Sequence, residues 1–406
     1  MRVLIAHNSY QRPGGEDVVA SQETDLLRRM GDQVIEFRRS NDDLRDLSSL
    51  AMLKTTLWSS DTYRELDKLI WQQKPEIAHF HNTFPLISPA AYYACRKNDL
   101  PVVQTLHNFR LFCPRADLYR NEAICELCLG KTPWPGIRHR CYRNSRLQTT
   151  AVAAMLAFHR WLRTWQEQVD LFVAPSNFVR EKVLQGGISP EKVVVKPHFV
   201  DHDPGERGGK GLCADYALFA GRLSREKGLF TMLHGWSRLK GMKLKVVGAG
   251  ADDPEVRDFL RGRDMADIQI LGQCSRDKVM ELMKGAFLIM FPSVLYETFG
   301  LSLIEAFACG VPVIASRLGA MSEIVSDGYN GLLFEPGNAI DLADKLQWAF
   351  HHRDEMGQMG MNARKAYKEF YTADANYSLL ASIYKRAAVV NRASRAINKE
   401  ALVVDF

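Results

Sequence analysis

Short apolar runs recur along this chain, each set apart from the next by a polar or helix-periodic stretch. In the first half they are RVLIAH, QVIEF, EIAHF, PVVQTL, LFVAPS and VVVKPHF; in the second half YALFAG, LKVVG, IQIL, AFLIMF, VPVIAS and GLLFEP. Runs this brief suit strands buried on both faces better than helices. Strands of that kind alternating with helices form parallel α/β layers, because the crossover helices cover the sheet. The opening shows one such unit complete: strand RVLIAH, glycine-bearing loop NSYQRPGG, helix EDVVASQETDLLRRMG, strand QVIEF. Asp203 to Gly211 reads DPGERGGKG, polar and glycine-rich without apolar periodicity, and it divides the two series near the middle of the chain. At 406 residues the chain is too long for one core. We expect an α/β domain over 1–203, a second over 212–372, and a long helix with a tail over 373–406 that packs back on the first domain.

Charge is unevenly placed. From Thr105 to Trp165 there are ten Lys or Arg and three Asp or Glu, a local excess of seven that exceeds the net +6 of the whole chain. Such a patch can face an anionic lipid surface or an acidic substrate. No DNA- or RNA-binding motif accompanies it, so no nucleic acid partner is expected. The patch overlaps a poorly periodic insertion, 108–149, holding Cys113, Cys125, Cys128 and Cys141. A C-x2-C pair flanked by two further cysteines can hold a structural zinc; the other reading is four reduced thiols. A helix over about Ala151 to Val169 follows, with the amphipathic run AVAAMLAFHRWLRTW. It either packs on the first domain or lies against an anionic membrane. The start MRVLIAHNSY reads as a strand and not as a leader peptide. No apolar stretch reaches the roughly 20 residues of a membrane span, and a cytoplasmic location is expected, peripheral to the inner face of the membrane if that helix binds lipid.

The segment FLIMFPSVLYETFGLSLIEAFACGVPVIAS, Phe287 to Ser316, carries the most chemistry. It reads as a buried strand, a loop, a helix from about Gly300, a left-handed stop at Gly310 and another buried strand. The helix start offers N–H groups at Phe299, Gly300, Leu301 and Ser302, and its dipole favours an anion. Glu297 precedes that point and Glu305 lies inside the helix. Eight residues of helix span about 12 Å, enough for a sugar, a diphosphate and a ribose in a row. A second segment, FAGRLSREKGL, brings Arg222 and Lys227 to one loop after a strand, where paired cations can stabilise a departing diphosphate. Gly14 and Gly15 sit between the first strand and its helix, where small residues allow close approach of a ligand. His107 follows the strand PVVQTL at the carboxyl edge, where ligand sites of open α/β sheets gather.

Glu297 and Glu305 in this strand-loop-helix setting resemble the E-x7-E signature of the family-4 retaining glycosyltransferases. The resemblance implies the GT-B fold, two Rossmann-like domains with parallel sheets facing a central cleft. It implies that Glu297 holds donor-sugar hydroxyls, that Glu305 holds the ribose, and that the N–H groups of Phe299, Gly300 and Leu301 hold the phosphates. Arg222 and Lys227 would stabilise the leaving diphosphate, Gly14 and Gly15 would line the donor site, and His107 would contact the sugar near the reacting carbon. No cofactor is implied for catalysis, and the partners are a nucleoside-diphosphate sugar and a glycan or polyprenyl-linked acceptor, in a setting such as bacterial cell-surface polysaccharide or glycolipid assembly. A nucleotide-sugar 2-epimerase and a non-catalytic binding subunit on the same fold are the rival readings.

Other short motifs carry less. Asp201-His202-Asp203 matches a D-x-D metal motif of another fold but lies at the domain junction. VVGAGADD lacks the third glycine of a dinucleotide fingerprint, and DPGERGGKG departs from a Walker loop at Pro204 and Gly211.

Overall fold

The computed structural model describes residues 1–11, 14–46, 48–206, 215–251, 253–260 and 267–404. Part of the expected linker, 207–211, and the first residues of the expected second domain, 212–214, lie outside the described residues, as do residues 12 and 13 of the first loop and the last two of the tail.

Each expected strand forms. The first sheet contains β1 (Arg2–Ser9), β2 (Gln33–Ser40), β3 (Ile77–Asn82) and β4 (Val102–Thr105). After a two-stranded hairpin, β5 (Tyr119–Arg120) and β6 (Ala123–Ile124), it is completed by β7 (Leu171–Ala174) and β8 (Val193–Val195). Its order is β2-β1-β3-β4-β7-β8, and every pair is parallel. The second sheet contains β9 (Tyr216–Ala220), β10 (Lys243–Val247), β11 (Ile268–Gly272), β12 (Leu288–Phe291), β13 (Val313–Ser316) and β14 (Gly331–Phe334). Its order is β11-β10-β9-β12-β13-β14, again all parallel. Strand order reverses between β1 and β3 in the first sheet and between β9 and β12 in the second. At such a reversal successive crossovers leave on opposite faces, opening a crevice at the carboxyl ends of the two strands.

The apolar runs explain these sheets. Along β9, Leu218 faces one core with Ile289, Leu303 and Phe307, while Ala217 and Phe219 face another with Leu244, Met290 and Leu342. Alternate residues serve opposite faces, so a strand covered on both sides must be apolar throughout. In the first unit Val3, Ile5, Ile77, Val103 and Leu171 share a core with Leu380, Ile383, Tyr384 and Ala387 of the last helix, Ala373–Val404.

The chain divides into two compact units, one of Met1–Leu118, Glu126–Pro197 and Asn376–Phe406, the other of Tyr119–Cys125 and His198–Ala375. The first boundary falls a few residues before Asp203 for a local reason. Val200 N–H donates to the Tyr371 carbonyl at 3.0 Å, and the His198 and Phe299 rings meet edge to face at 5.0 Å. Asp203 is committed to Arg364, with oxygens 2.6 and 2.7 Å from the guanidinium. The insertion is more structured than its sequence pattern indicates. Besides the hairpin it holds a short helix, Trp134–Arg138, and a longer helix begins at Arg146 because Ser145 caps it by accepting from Gln148 N–H at 3.3 Å. That helix ends at Trp161, and Arg163 in the left-handed region breaks it from Thr164–Glu167. Among the described residues no helix is long and apolar enough to cross a membrane.

Candidate functional site

In the second unit the loops after β9 and β12 meet at the order reversal. The loop after β9 carries Arg222 and Lys227 and turns through Gly228 at φ +73°, where a Cβ would stand 1.8 Å from the Pro292 carbonyl oxygen. Only glycine fits there, so the two loops lie backbone to backbone. Val294 N–H donates to the Glu226 carbonyl at 3.0 Å and fixes the same contact.

Lys227 Nζ lies 2.5 Å from Glu297 Oε1, and Ser293 Oγ donates to that oxygen at 2.6 Å. Burial pushes the Glu297 carboxyl up, but Lys227, Ser293 and Arg222 outweigh it and hold the group below the ordinary range. Glu297 is therefore a carboxylate at neutral pH. Its carbonyl accepts from Ala320 N–H at 3.2 Å, which ties it to the loop after β13. Arg222 lies nearer to solvent, its side chain 68% exposed and 3.8 Å from Glu226.

Gly300, at φ +98° and ψ 72°, starts the helix Leu301–Ala308. Gly300 C=O accepts from Leu303 N–H at 3.0 Å, while the N–H groups of Leu301 and Ser302 have no acceptor within the helix ladder. Phe299 is buried and anchors the turn in the core by its ring. Glu305 sits farther along with Arg276 Nη2 at 3.3 Å. Burial raises its pKa, and Arg276 only partly opposes this. Thus Arg222, Lys227, Glu297, Phe299, Gly300, Leu301 and Glu305, all read from sequence, belong to one unit. Ser293, Arg276 and Gly228 were missed there. Their signal is position, since each follows the carboxyl end of a strand in the second sheet, Gly228 after β9, Ser293 after β12 and Arg276 after the edge strand β11.

In the first unit His107 follows β4. Its Nε2 is 3.0 Å from His81 Nδ1, and the rings stack at 5.2 Å. His81 Nε2 lies 3.6 Å from Glu23 Oε2, and Glu23 Oε1 lies 2.6 Å from Lys196 Nζ. His79 bonds Tyr384 OH at 2.8 Å and Thr105 Oγ1 at 2.7 Å. Burial lowers His79 to about 4, and burial with the neighbouring histidines holds His81 well below its ordinary value. Both are neutral at pH 7. Among the described residues Glu23, His79 and His81 form the one group of three or more ligand-type side chains close enough to share an ion. Lys196 already supplies the positive charge that Glu23 needs.

Gly14 caps the helix Gly15–Arg29 from an extended conformation, and its N–H donates to Asp17 Oδ2 at 2.7 Å. That N–H is thus already committed within the loop. Cys113, Cys125, Cys128 and Cys141 are thiols, not disulfides. Cys113, Cys128 and Cys141, which share the first unit, are not gathered as three ligands of one ion.

Comparison with known proteins fits these crevices. Residues 13–204 match Glycosyltransferase Family 4, and residues 209–366 match Glycosyl transferases group 1. The chain belongs to the family-4 glycosyltransferases. It is 31% identical to an uncharacterized glycosyltransferase of Methanocaldococcus jannaschii over 156 residues, 38% of this chain and 44% of that one. It is 28% identical to the D-rhamnosyltransferase WbpZ of Pseudomonas aeruginosa over 162 residues, 39% of this chain and 42% of that one. The match spans roughly half the length of such curated relatives. Anabaena HepE, crystallised with UDP, shares the GT-B fold with a TM-score of 0.69 at 18% identity, over 95% of this chain and 100% of that one.

Proposed function

We propose that this family-4 chain is a retaining, metal-independent glycosyltransferase that moves a sugar from a nucleoside-diphosphate sugar to a glycan or polyprenyl-linked acceptor. The observation that carries the reading is the Lys227–Glu297 pair beside the Gly300 helix start, with Arg222 on the same loop. A carboxylate for sugar hydroxyls, an N–H pair for phosphate and two cations for the leaving group stand together in one unit. HepE supports a nucleotide-sugar donor by analogy, having been crystallised with UDP and with UDP-glucose.

In this reading the bond between the anomeric carbon and the donor phosphate breaks while the acceptor oxygen bonds to the same face of the sugar. The acceptor proton passes to the departing phosphate. Arg222 and Lys227 stabilise the charge that develops there, Glu297 orients the sugar, Glu305 holds the ribose, and His107 lies by the reacting carbon. The assigned roles use no metal ion, and the insertion cysteines take no part in them. The setting we infer is cell-surface polysaccharide or glycolipid assembly, with contact to an anionic membrane. The helix Arg146–Trp161 supports that contact, because Leu147 and Trp161 are 74% and 77% exposed within a basic stretch.

A thermal-shift screen against UDP-, GDP- and ADP-sugars tests the donor assignment. Ligand at 100 times its dissociation constant adds about 2.7 kcal/mol. We expect a shift with one nucleotide class, lost in Arg222→Ala and Glu305→Ala; no shift with any donor favours the non-catalytic reading.

A further inference from the structure

Two acids open the helix Gly15–Arg29, and local structure uses only one of them. Asp17 accepts from Gly14 N–H at 2.7 Å and Tyr10 N–H at 3.2 Å, and lies 2.9 Å from His7 Nε2. It closes the loop after β1. Glu16 does no such work. Its carboxyl is held by two amides, Asn108 Nδ2 at 3.0 Å and Asn82 Nδ2 at 3.4 Å.

Those amides are themselves aimed. Asn82 ends β3, donates to the Asn8 carbonyl at 2.8 Å and accepts from Phe84 N–H at 3.0 Å. Asn108 follows β4, next to His107, and accepts from Arg110 N–H at 2.9 Å. The Arg110 guanidinium stacks on Phe84 at 4.5 Å and Tyr142 at 5.2 Å, and its buried Nε has no hydrogen-bond partner. A carboxyl and two carboxamides, all planar, thus converge from the ends of three neighbouring strands at the order reversal of the first sheet, with the Arg110 guanidinium near enough to act on the Glu16 charge while donating through Nη1 to the Pro114 carbonyl. Planar groups offering paired donors and acceptors are the chemistry that grips adjacent hydroxyls of a sugar ring.

We propose that Glu16, Asn82, Asn108 and Arg110 form a hydroxyl-binding subsite for a sugar ring of the acceptor, with Glu16 as the residue that selects it. This rests on the glycosyltransferase reading above. Burial, reinforced by Asp17, pushes the Glu16 carboxyl up to about 8 against the opposing pull of Asn108 and Arg110. At neutral pH it keeps its proton and both donates and accepts.

Saturation-transfer NMR on the full chain, with UDP, GDP and ADP in turn and the methyl α-glycosides of glucose, galactose and mannose as probes, tests this. We expect at least one glycoside to give a signal with the wild type, about five-fold weaker or lost in Glu16→Ala and Asn108→Ala and kept in Glu16→Gln, which still donates and accepts. The nucleotide signal should be the same in all four proteins, which also shows that the variants fold. A wild type that binds none of the glycosides, or a glycoside signal that survives in Glu16→Ala, overturns the subsite. A glycoside signal with no nucleotide signal leaves the subsite standing and overturns the donor reading instead.

Discussion

Lys227 and Glu297 lie 2.5 Å apart across the two loops that meet at the order reversal of the second sheet. The ammonium is what keeps a largely buried carboxylate ionised. Lys227→Met should therefore act twice. Transfer should fall by about two orders of magnitude, the usual cost of losing one stabilising group at a developing anion. Stability at pH 7 should fall by about 1–3 kcal/mol, less than the roughly 3–5 for a fully buried pair, since both side chains are partly exposed. The pH dependence changes sign as well. In the wild type Glu297 has a lowered pKa, so its contribution is present above its ordinary value near 4.5 and is lost on acidification. Without Lys227 burial dominates, and acidification should recover part of the deficit. Urea unfolding at pH 4 and pH 7 measures both effects.

Gly228→Ala should damage the same contact from the backbone side. A Cβ would stand 1.8 Å from the Pro292 carbonyl oxygen at φ +73°. The loops must part, and we expect a loss of at least about 2–3 kcal/mol together with loss of nucleotide binding. A calorimetric melt and a titration with the nucleotide selected by the thermal-shift screen would show it. Unchanged binding would mean that the two loops need not touch to hold the donor.

Legibility of the sequence differs between the units for a physical reason. Strands buried on both faces are continuous apolar runs, so both sheets could be read, as could the crossovers. Glu297, Gly300 and Glu305 lie within one strand-loop-helix segment, and their chemistry shows as spacing. Glu16, Asn82 and Asn108 meet only because β1, β3 and β4 are neighbours in the sheet, Asn82 standing 66 positions and Asn108 92 positions after Glu16. No local pattern marks such a group. The second histidine of HFHN at the end of β3 was open to the same strand-end argument as His107. The early start of the helix at Arg146 lay hidden for another reason, since a capping Ser145 acts before apolar periodicity begins.

On the proposed role of His107, His81 would position it. It commits Nε2 of His107 through a 3.0 Å bond and is itself held beside the Glu23–Lys196 pair. His81→Phe fills the space without the bond. We expect kcat to fall about 10- to 100-fold, the scale of a misplaced group near the reacting atoms, with the KM for donor and the nucleotide affinity little changed. A purely structural role would lower the melting temperature and leave kcat of the folded fraction intact.

Glu16 gives a stability test that needs no substrate. Its pKa is raised on folding from 4.5 to about 8, so the folded chain keeps a proton that the unfolded chain has lost. Between those values the folded state binds more protons, and its stability falls as pH rises. Below about pH 4.5 both states are protonated and the penalty vanishes; above about 8 it is complete. Glu16→Gln is neutral throughout and keeps the shape and the amide contacts. At pH 5 the variant and the wild type should melt within a degree or two of each other. At pH 8 the variant should be the more stable, with the difference growing steadily between. Thermal melts in matched buffers across that range measure it. A difference independent of pH would mean that the Glu16 carboxyl ionises in the folded chain as it does in water, so that it could not donate a hydrogen bond to a sugar hydroxyl.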